Sequence, residues 1–276
     1  MDNNNTIIMS VAGDYIVRSR DYNFRVHVKS FPVNGEHDVR VTPVNNDIDD
    51  VVLSDLDCIT VTISEDFGEN TAMIDYLSFN ERCSMNHPME RGEGTKNMVM
   101  SVLSLCKRLF GVSKFSLSDM SSFFCEPSGG EVRLGPHNLL VYGKSWYERK
   151  FNAMISSNRD KSRWERSRSV LNSMVTREKA EIILSMIKRI YDGEEMDQFA
   201  ELVESSIGIS TWNEMFSSIN MSFEGCVFFT GKMITLLIDM FSIPFGISWY
   251  IPISEDDAST YLLSYEKLPG QPFSLR

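Results

Sequence analysis

The sequence predicts an α+β protein. Three observations carry this: residues 1–80 alternate apolar and polar side chains in short runs, a strand–loop–helix–strand unit occupies residues 72–118, and apolar spacing turns helical from residue 156. The chain has 276 residues, 42% hydrophobic and 24% charged, which supports a sizeable core and excludes wholesale disorder and fibrous repeats. Its net charge of −11 speaks against generic binding to a phosphate backbone, though it leaves room for a local basic patch.

The elements follow in order. From Tyr15 to Phe31 the pattern alternates in part, with Phe24, Val26 and Val28 set against Arg25, His27 and Lys29. Asn34-Gly35 signals a turn before a strand from Asp38 to Val44. Cys58 to Ser64 alternates Ile59, Val61 and Ile63 with Thr60 and Thr62, and Gly68 to Asn70 turns the chain into a strand from Ala72 to Phe79. This reads as an antiparallel meander with half-buried faces. Met98, Val99, Val102, Leu103, Leu105, Cys106, Leu109 and Phe110 then form a helical stripe. Lys107 and Arg108 suit its C-terminus, and Gly111 ends it. Lys114 to Ser118 returns to alternation, so strands 72–79 and 114–118 should lie parallel, joined by a right-handed crossover.

Phe123 to Gly135 reads as loop, His137 to Tyr142 as a short strand, and a helix begins near Lys144. Thr176 caps a helix striped by Ile182, Ile183, Met186, Ile187 and Ile190, closed by Gly193. Met196, Phe199, Leu202 and Val203 mark a second helix, and Thr211-x-x-Glu214 is a capping box opening a third, striped by Trp212, Met215, Phe216 and Ile219. A helix over 226–242, a strand from Ile247 to Ile253 and a polar tail with Pro269 and Pro272 complete the chain. The change of period places a domain boundary near 156, dividing residues 1–155 from a mostly helical 156–276.

The five cysteines are scattered and contain no C-x-x-C pair, which predicts reduced thiols and no structural zinc. His27, His37 and His87 stand apart, so no metal cluster is expected. The polar, acidic start lacks the basic end and apolar block of a signal peptide. The most apolar stretch, Cys226 to Ile253, is interrupted by Lys232, Asp239, Pro244 and Pro252, so no membrane span is expected.

Arg91-Gly92-Glu93-Gly94-Thr95-Lys96 follows a strand and opens a helix. Glycines let the backbone pass close to a ligand, and free amides with the positive end of the helix dipole attract an anion. Arg91, Lys96 and the Thr95 hydroxyl add charge-assisted contacts to a diphosphate. Neither the nucleotide P-loop pattern nor the full dinucleotide fingerprint is present.

A meander, a strand, R-G-x-G-T opening a helix and a further strand resemble the GNAT N-acetyltransferase fold, over about residues 10–155. In that family the loop is [QR]-x-x-G-x-G/A. Gly92 and Gly94 match its glycines, whereas Met89 stands where the Gln or Arg is expected. The resemblance implies a GNAT-like mixed sheet with flanking helices, and acetyl-CoA held by Arg91, Gly92, Glu93, Gly94, Thr95 and Lys96. It also implies transfer of an acetyl group to an amine, with amides near strand 72–79 stabilising the oxyanion.

Asn138, an aliphatic run and Tyr147-Glu148-Arg149-Lys150-Phe151 resemble the family's later motif, which gives Tyr147 the role of general acid to the CoA thiolate. Glu81 and Glu90 flank the loop as carboxylates available for a base. Cys125 and His137 invite a thiol-nucleophile reading, but their spacing fits no family signature and buried cysteine is common. The phrase Tyr142-Gly-Lys-Ser-Trp-Tyr-Glu is similar to GNAT-like proteins of large DNA viruses. That implies an alternative, a non-catalytic structural or interaction protein such as a virion or minor capsid component, located in the cytoplasm or nucleus of an infected cell or in the particle.

Lys144 to Arg168 holds eight basic residues against Glu148, Asp160 and Glu165, a basic island that fits an anionic partner. The apolar stripes of the C-terminal helices, with Trp212, Phe216 and Trp249, fit packing and a protein partner.

Overall fold

The computed structural model describes residues 11–31, 35–43, 57–66, 69–119, 121–191, 193–222 and 225–269. The fold is α+β. It divides into two compact units, Met1–Leu117 with Ile251–Arg276, and Ser118–Tyr250.

The first unit begins with β1 (Gly13–Arg18), β2 (Asn23–Phe31), β3 (Glu36–Val41), β4 (Ile59–Asp66) and β5 (Glu69–Leu77), each antiparallel to the next. Alternation buries Val17, Phe24, Val26, Val28, Val39, Val41, Ile59, Val61, Ile63 and Ile74 on one face. The other face is polar. Helix α1 (Glu93–Phe110) follows; it buries the predicted stripe apart from the half-buried Leu109 and ends at Gly111 in the left-handed conformation. Strand β6 (Lys114–Ser118) then pairs parallel with β5, Ala72 opposite Phe115. The parallel β–α–β unit is therefore present.

The second unit opens with a hairpin, β7 (Ser122–Cys125) and β8 (Gly130–Arg133). Helices α2 (Leu134–Tyr142) and α3 (Trp146–Phe151) come next, then the short β9 (Met154–Ile155). Helices α4 (Asn158–Leu171), α5 (Arg177–Ile190), α6 (Gly193–Ser206) and α7 (Trp212–Met221) follow. A 3-10 turn (Gly225–Phe229) leads to α8 (Gly231–Met240), and β10 (Ser248–Pro252) pairs antiparallel with β9. Its core is aromatic: Trp212 lies 5.0 Å from Phe241, Phe216 5.7 Å from Phe241 and Phe199 5.2 Å from Phe228, ring to ring. Trp164 and Trp249 meet edge to face at 5.3 Å.

The chain then returns to the first unit as α9 (Glu255–Tyr261) and β11 (Ser264–Lys267). Helix α9 packs along α1, where Ser101 Oγ donates to the Tyr261 carbonyl at 2.8 Å and Lys107 pairs with Glu255 at 3.1 Å. Strand β11 runs antiparallel to β1, giving the unit the strand order β11-β1-β2-β3-β4-β5-β6.

Several expectations change. His137 to Tyr142 is helix, part of α2, and the stretch after Phe123 contains a hairpin. Gly193 opens α6, and α5 already ends at Ile190. The expected polar tail forms α9 and β11. The capping box of Thr211 and Glu214 is present, and Thr176 occupies the cap position without a side-chain bond. Residue 156 lies inside the second unit, between β9 and α4. Asn34, Val44, Gly68 and Pro272 lie outside the described residues.

The reduced cysteines are a further correction. Cys58 is bonded to Cys83 and Cys125 to Cys226, with Cα atoms 6.1 and 6.0 Å apart; Cys106 is a buried thiol. The separations, 25 and 101 residues, form no motif, so only the folded chain shows the pairing. Among the described residues no helix is long and apolar enough to cross a membrane.

Candidate functional site

The glycine loop stands where the sequence places it, between β5 and the N-terminus of α1. Gly92 caps the helix with φ 86°, and no side chain caps the first amides. A side chain built on Gly92 would meet open space. Gly94 differs. A Cβ there would lie 2.5 Å from Met89 Cγ and 3.2 Å from the Tyr22 hydroxyl oxygen. Both side chains are buried, and the Glu90 amide donates to the same Tyr22 hydroxyl at 3.4 Å. Gly94 therefore lacks a side chain because the protein's own residues approach it.

The segment that delivers Met89 is firmly tied. The Met89 amide donates to the Glu81 carbonyl at 2.8 Å, the Met85 amide to the Asn23 carbonyl at 2.7 Å, and the Cys58–Cys83 bond holds its start. The loop's charges are committed elsewhere. Lys96 lies 3.4 Å from Glu93 and over the Tyr261 ring, and the neighbouring Tyr261 hydroxyl leads in raising its pKa. The Arg91 guanidinium sits 5.9 Å from the Phe79 ring centre, and Thr95 is buried. A group entering along the Cβ direction of Gly94 would meet Met89 and Tyr22.

Tyr147 belongs to the second unit, whereas the loop belongs to the first. It is 6% exposed, and its ring packs against Trp146 at 5.3 Å. Ser121 lies near its hydroxyl, and the Ser121 Oγ donates to Asp119 at 2.8 Å. Burial, then the neighbouring Asp119 charge, push its pKa up to about 12 despite the nearby Ser121. Burial likewise raises the Asp119 carboxyl. Asp119 fits beside α2 because residue 135 is glycine: a Cβ there would stand 2.8 Å from the carboxylate. Asn138, the start of the second motif, donates to the Leu134 carbonyl at 2.8 Å and accepts from Arg149.

The phrase Tyr142 to Glu148 has a local structural account. Gly143 ends α2 in the left-handed conformation, and Ser145 and Glu148 form a capping box on α3. Glu81 and Glu90 are exposed. Cys125 is consumed by its disulfide, so it offers no free thiol to His137. His137 is buried against Phe123 and Phe229; its Nε2 lies 2.8 Å from Asn220 Oδ1, and burial leads in lowering its pKa.

The basic island separates into two sets. Arg168 binds Glu148 at 2.6 Å, Glu165 at 3.0 Å and the Gly143 carbonyl at 2.8 Å, while Arg149 lies 3.9 Å above the Tyr142 ring centre. These are structural. Arg159, Lys161 and Arg166 are exposed on α4, with no ion pair among the described residues, and Arg163 meets only Asp160 at 3.6 Å.

One arrangement escaped the sequence reading. Asp14 Oδ1 lies 2.6 Å from His27 Nδ1, and His27 Nε2 lies 3.3 Å from Thr42 Oγ1. The row crosses the polar face of the sheet because register sets Asp14 opposite His27. Burial raises the Asp14 pKa, but bonds from Arg25 and His27 outweigh it and hold the carboxyl below its usual range. Period-2 alternation put His27 on the outer face, but single-strand patterning does not show its neighbours. Among the described residues no group of three or more His, Cys, Asp or Glu converges to hold a metal. No family model, curated protein or solved structure matches the chain.

Proposed function

We propose that this chain is a non-catalytic binding protein built on a GNAT-like β–α–β core, a structural component of an assembly. The large-DNA-virus particle is the assembly that the Tyr142–Glu148 resemblance suggests. One observation carries the reading: Met89 and Tyr22 pack against Gly94, in the loop that the resemblance assigns to an acyl-CoA diphosphate. Two others support it. Tyr147 is buried, and the exposed cations of α4 are available to a partner.

The test is thermal melting of the full chain with and without acetyl-CoA. A ligand at about 100 times its dissociation constant adds about 2.7 kcal/mol. For a chain of this size that corresponds to a rise of roughly 5–10 °C. The proposal expects no rise. A saturable rise, abolished by Gly94→Val, would overturn it and favour the N-acetyltransferase reading.

A further inference from the structure

We propose that copies of this chain associate through α4 of one and α6 of the next. The inference goes beyond the binding reading and holds whether or not the loop takes acyl-CoA.

Arg159, Arg163 and Arg166 recur at i, i+4 and i+7, which places them within about 60° of one another on a helix of 3.6 residues per turn. Trp164, Ser167 and Leu171 take the buried side of the same helix. On α6, Glu194, Asp197, Glu201 and Glu204 recur at i, i+3, i+7 and i+10, opposite the buried Phe199, Val203 and Ser206. All four acids are exposed and without an ion-pair partner among the described residues. At 1.5 Å per residue the basic row rises about 10 Å and the acidic row about 15 Å, so the acidic row is long enough to span the basic one.

Both helices pack on α7 within one unit. Each copy therefore offers both halves of the contact. A reciprocal pairing closes a dimer, and a head-to-tail pairing builds a ring or filament. A phosphate chain is the weaker occupant. The groove beside Arg163 and Arg166 has Asp239 on its wall, and the chain carries a net charge of −11. Exposed ion pairs are individually weak and screened by salt, so the association should be modest and salt-sensitive.

The test is sedimentation velocity of the full chain over a range of concentrations, with two charge-reversed variants. The first carries Arg159→Glu, Arg163→Glu and Arg166→Glu. The second carries Glu194→Lys, Asp197→Lys, Glu201→Lys and Glu204→Lys. The wild type should associate at low salt, and the association constant should fall about tenfold or more on raising salt from about 50 mM to about 300 mM. Each variant alone should be monomeric, and their equimolar mixture should associate again. Circular dichroism checks that each variant is folded; Arg→Gln and Glu→Gln versions, expected to be monomeric, replace any that is not. A wild type that stays monomeric at low salt, or a mixture that fails to recover association, would overturn the proposal. So would a single-stranded oligonucleotide that binds α4 while the protein remains monomeric. None of these readouts involves acetyl-CoA, so their failure is separable from failure of the binding reading.

Discussion

The loop at Gly92–Lys96 and the face of α4 make opposite use of residues that stand out in the sequence. At the loop, one glycine and one cation that look prepared for a ligand are met internally: Met89 and Tyr22 cover Gly94, and Lys96 sits between Glu93 and Tyr261, while Gly92 stays open. On α4, the basic island keeps Arg159, Lys161 and Arg166 free of ion pairs among the described residues. A glycine shows that something approaches the backbone closely, and only packing shows what it is. A cation shows nothing until its partners are counted.

The largest effects should come from the anchors of the two regions. Removing the Cys125–Cys226 bond, by Cys125→Ser with Cys226→Ser, should cost about 4–5 kcal/mol on the chain-entropy relation for a loop near 100 residues. Removing Cys58–Cys83, which holds the segment carrying Met89, should cost about 3–4 kcal/mol for its shorter loop. Denaturant unfolding of the variants measures both, and equal stability with and without the bonds would deny them a structural role.

Gly94→Val comes next. Its side chain must displace Met89 and Tyr22, an overpacking that should cost about 1–3 kcal/mol. Adding Met89→Ala should recover part of the loss. If Gly94→Val is neutral, the space over the loop is empty and the contrast with α4 disappears.

Tyr147→Phe should cost about 1 kcal/mol near neutral pH through loss of the buried hydroxyl's polar contacts. The raised folded pKa sets the sign of its pH dependence. The neutral phenol's contribution is fully present below pH about 10, the unfolded value, and is lost as pH rises through about 12. The gap between wild type and Tyr147→Phe should therefore narrow in alkaline unfolding measurements. A constant gap would place the hydroxyl in solvent.

The smallest effect sharpens the other side of the comparison. Arg159→Gln and Arg166→Gln should each change the melting free energy by less than about 0.5 kcal/mol, as exposed positions without partners do. A larger loss in dilute protein would reveal an internal partner.

Much of the first unit was legible because half-buried strands alternate: Phe24, Val26 and Val28 announced their face, and the α1 stripe announced its own. Helix α2 was misread because His137 to Tyr142 is almost entirely buried. A short, mostly apolar run carries no period to separate helix from strand, although Pro136 in the first turn agrees with a helix start. Strand β11 is exposed at every position, so it has no alternation to read. The loop motif was visible as a pattern, but its content depended on Met89. In the sequence Met89 looked like a departure from a family's Gln or Arg, and in the fold its side chain is what fills the space. The Asp14–His27–Thr42 row and both disulfides depend on strand register and long-range contact, which local spacing does not encode.

The central claim is that the protein's own side chains close the glycine loop to acyl-CoA. Isothermal titration of acetyl-CoA into the full chain, alongside Met89→Ala and Gly94→Val, tests it most directly. The account predicts no saturable binding by the wild type. Saturable binding by the wild type that Gly94→Val abolishes in a still-folded protein would contradict it.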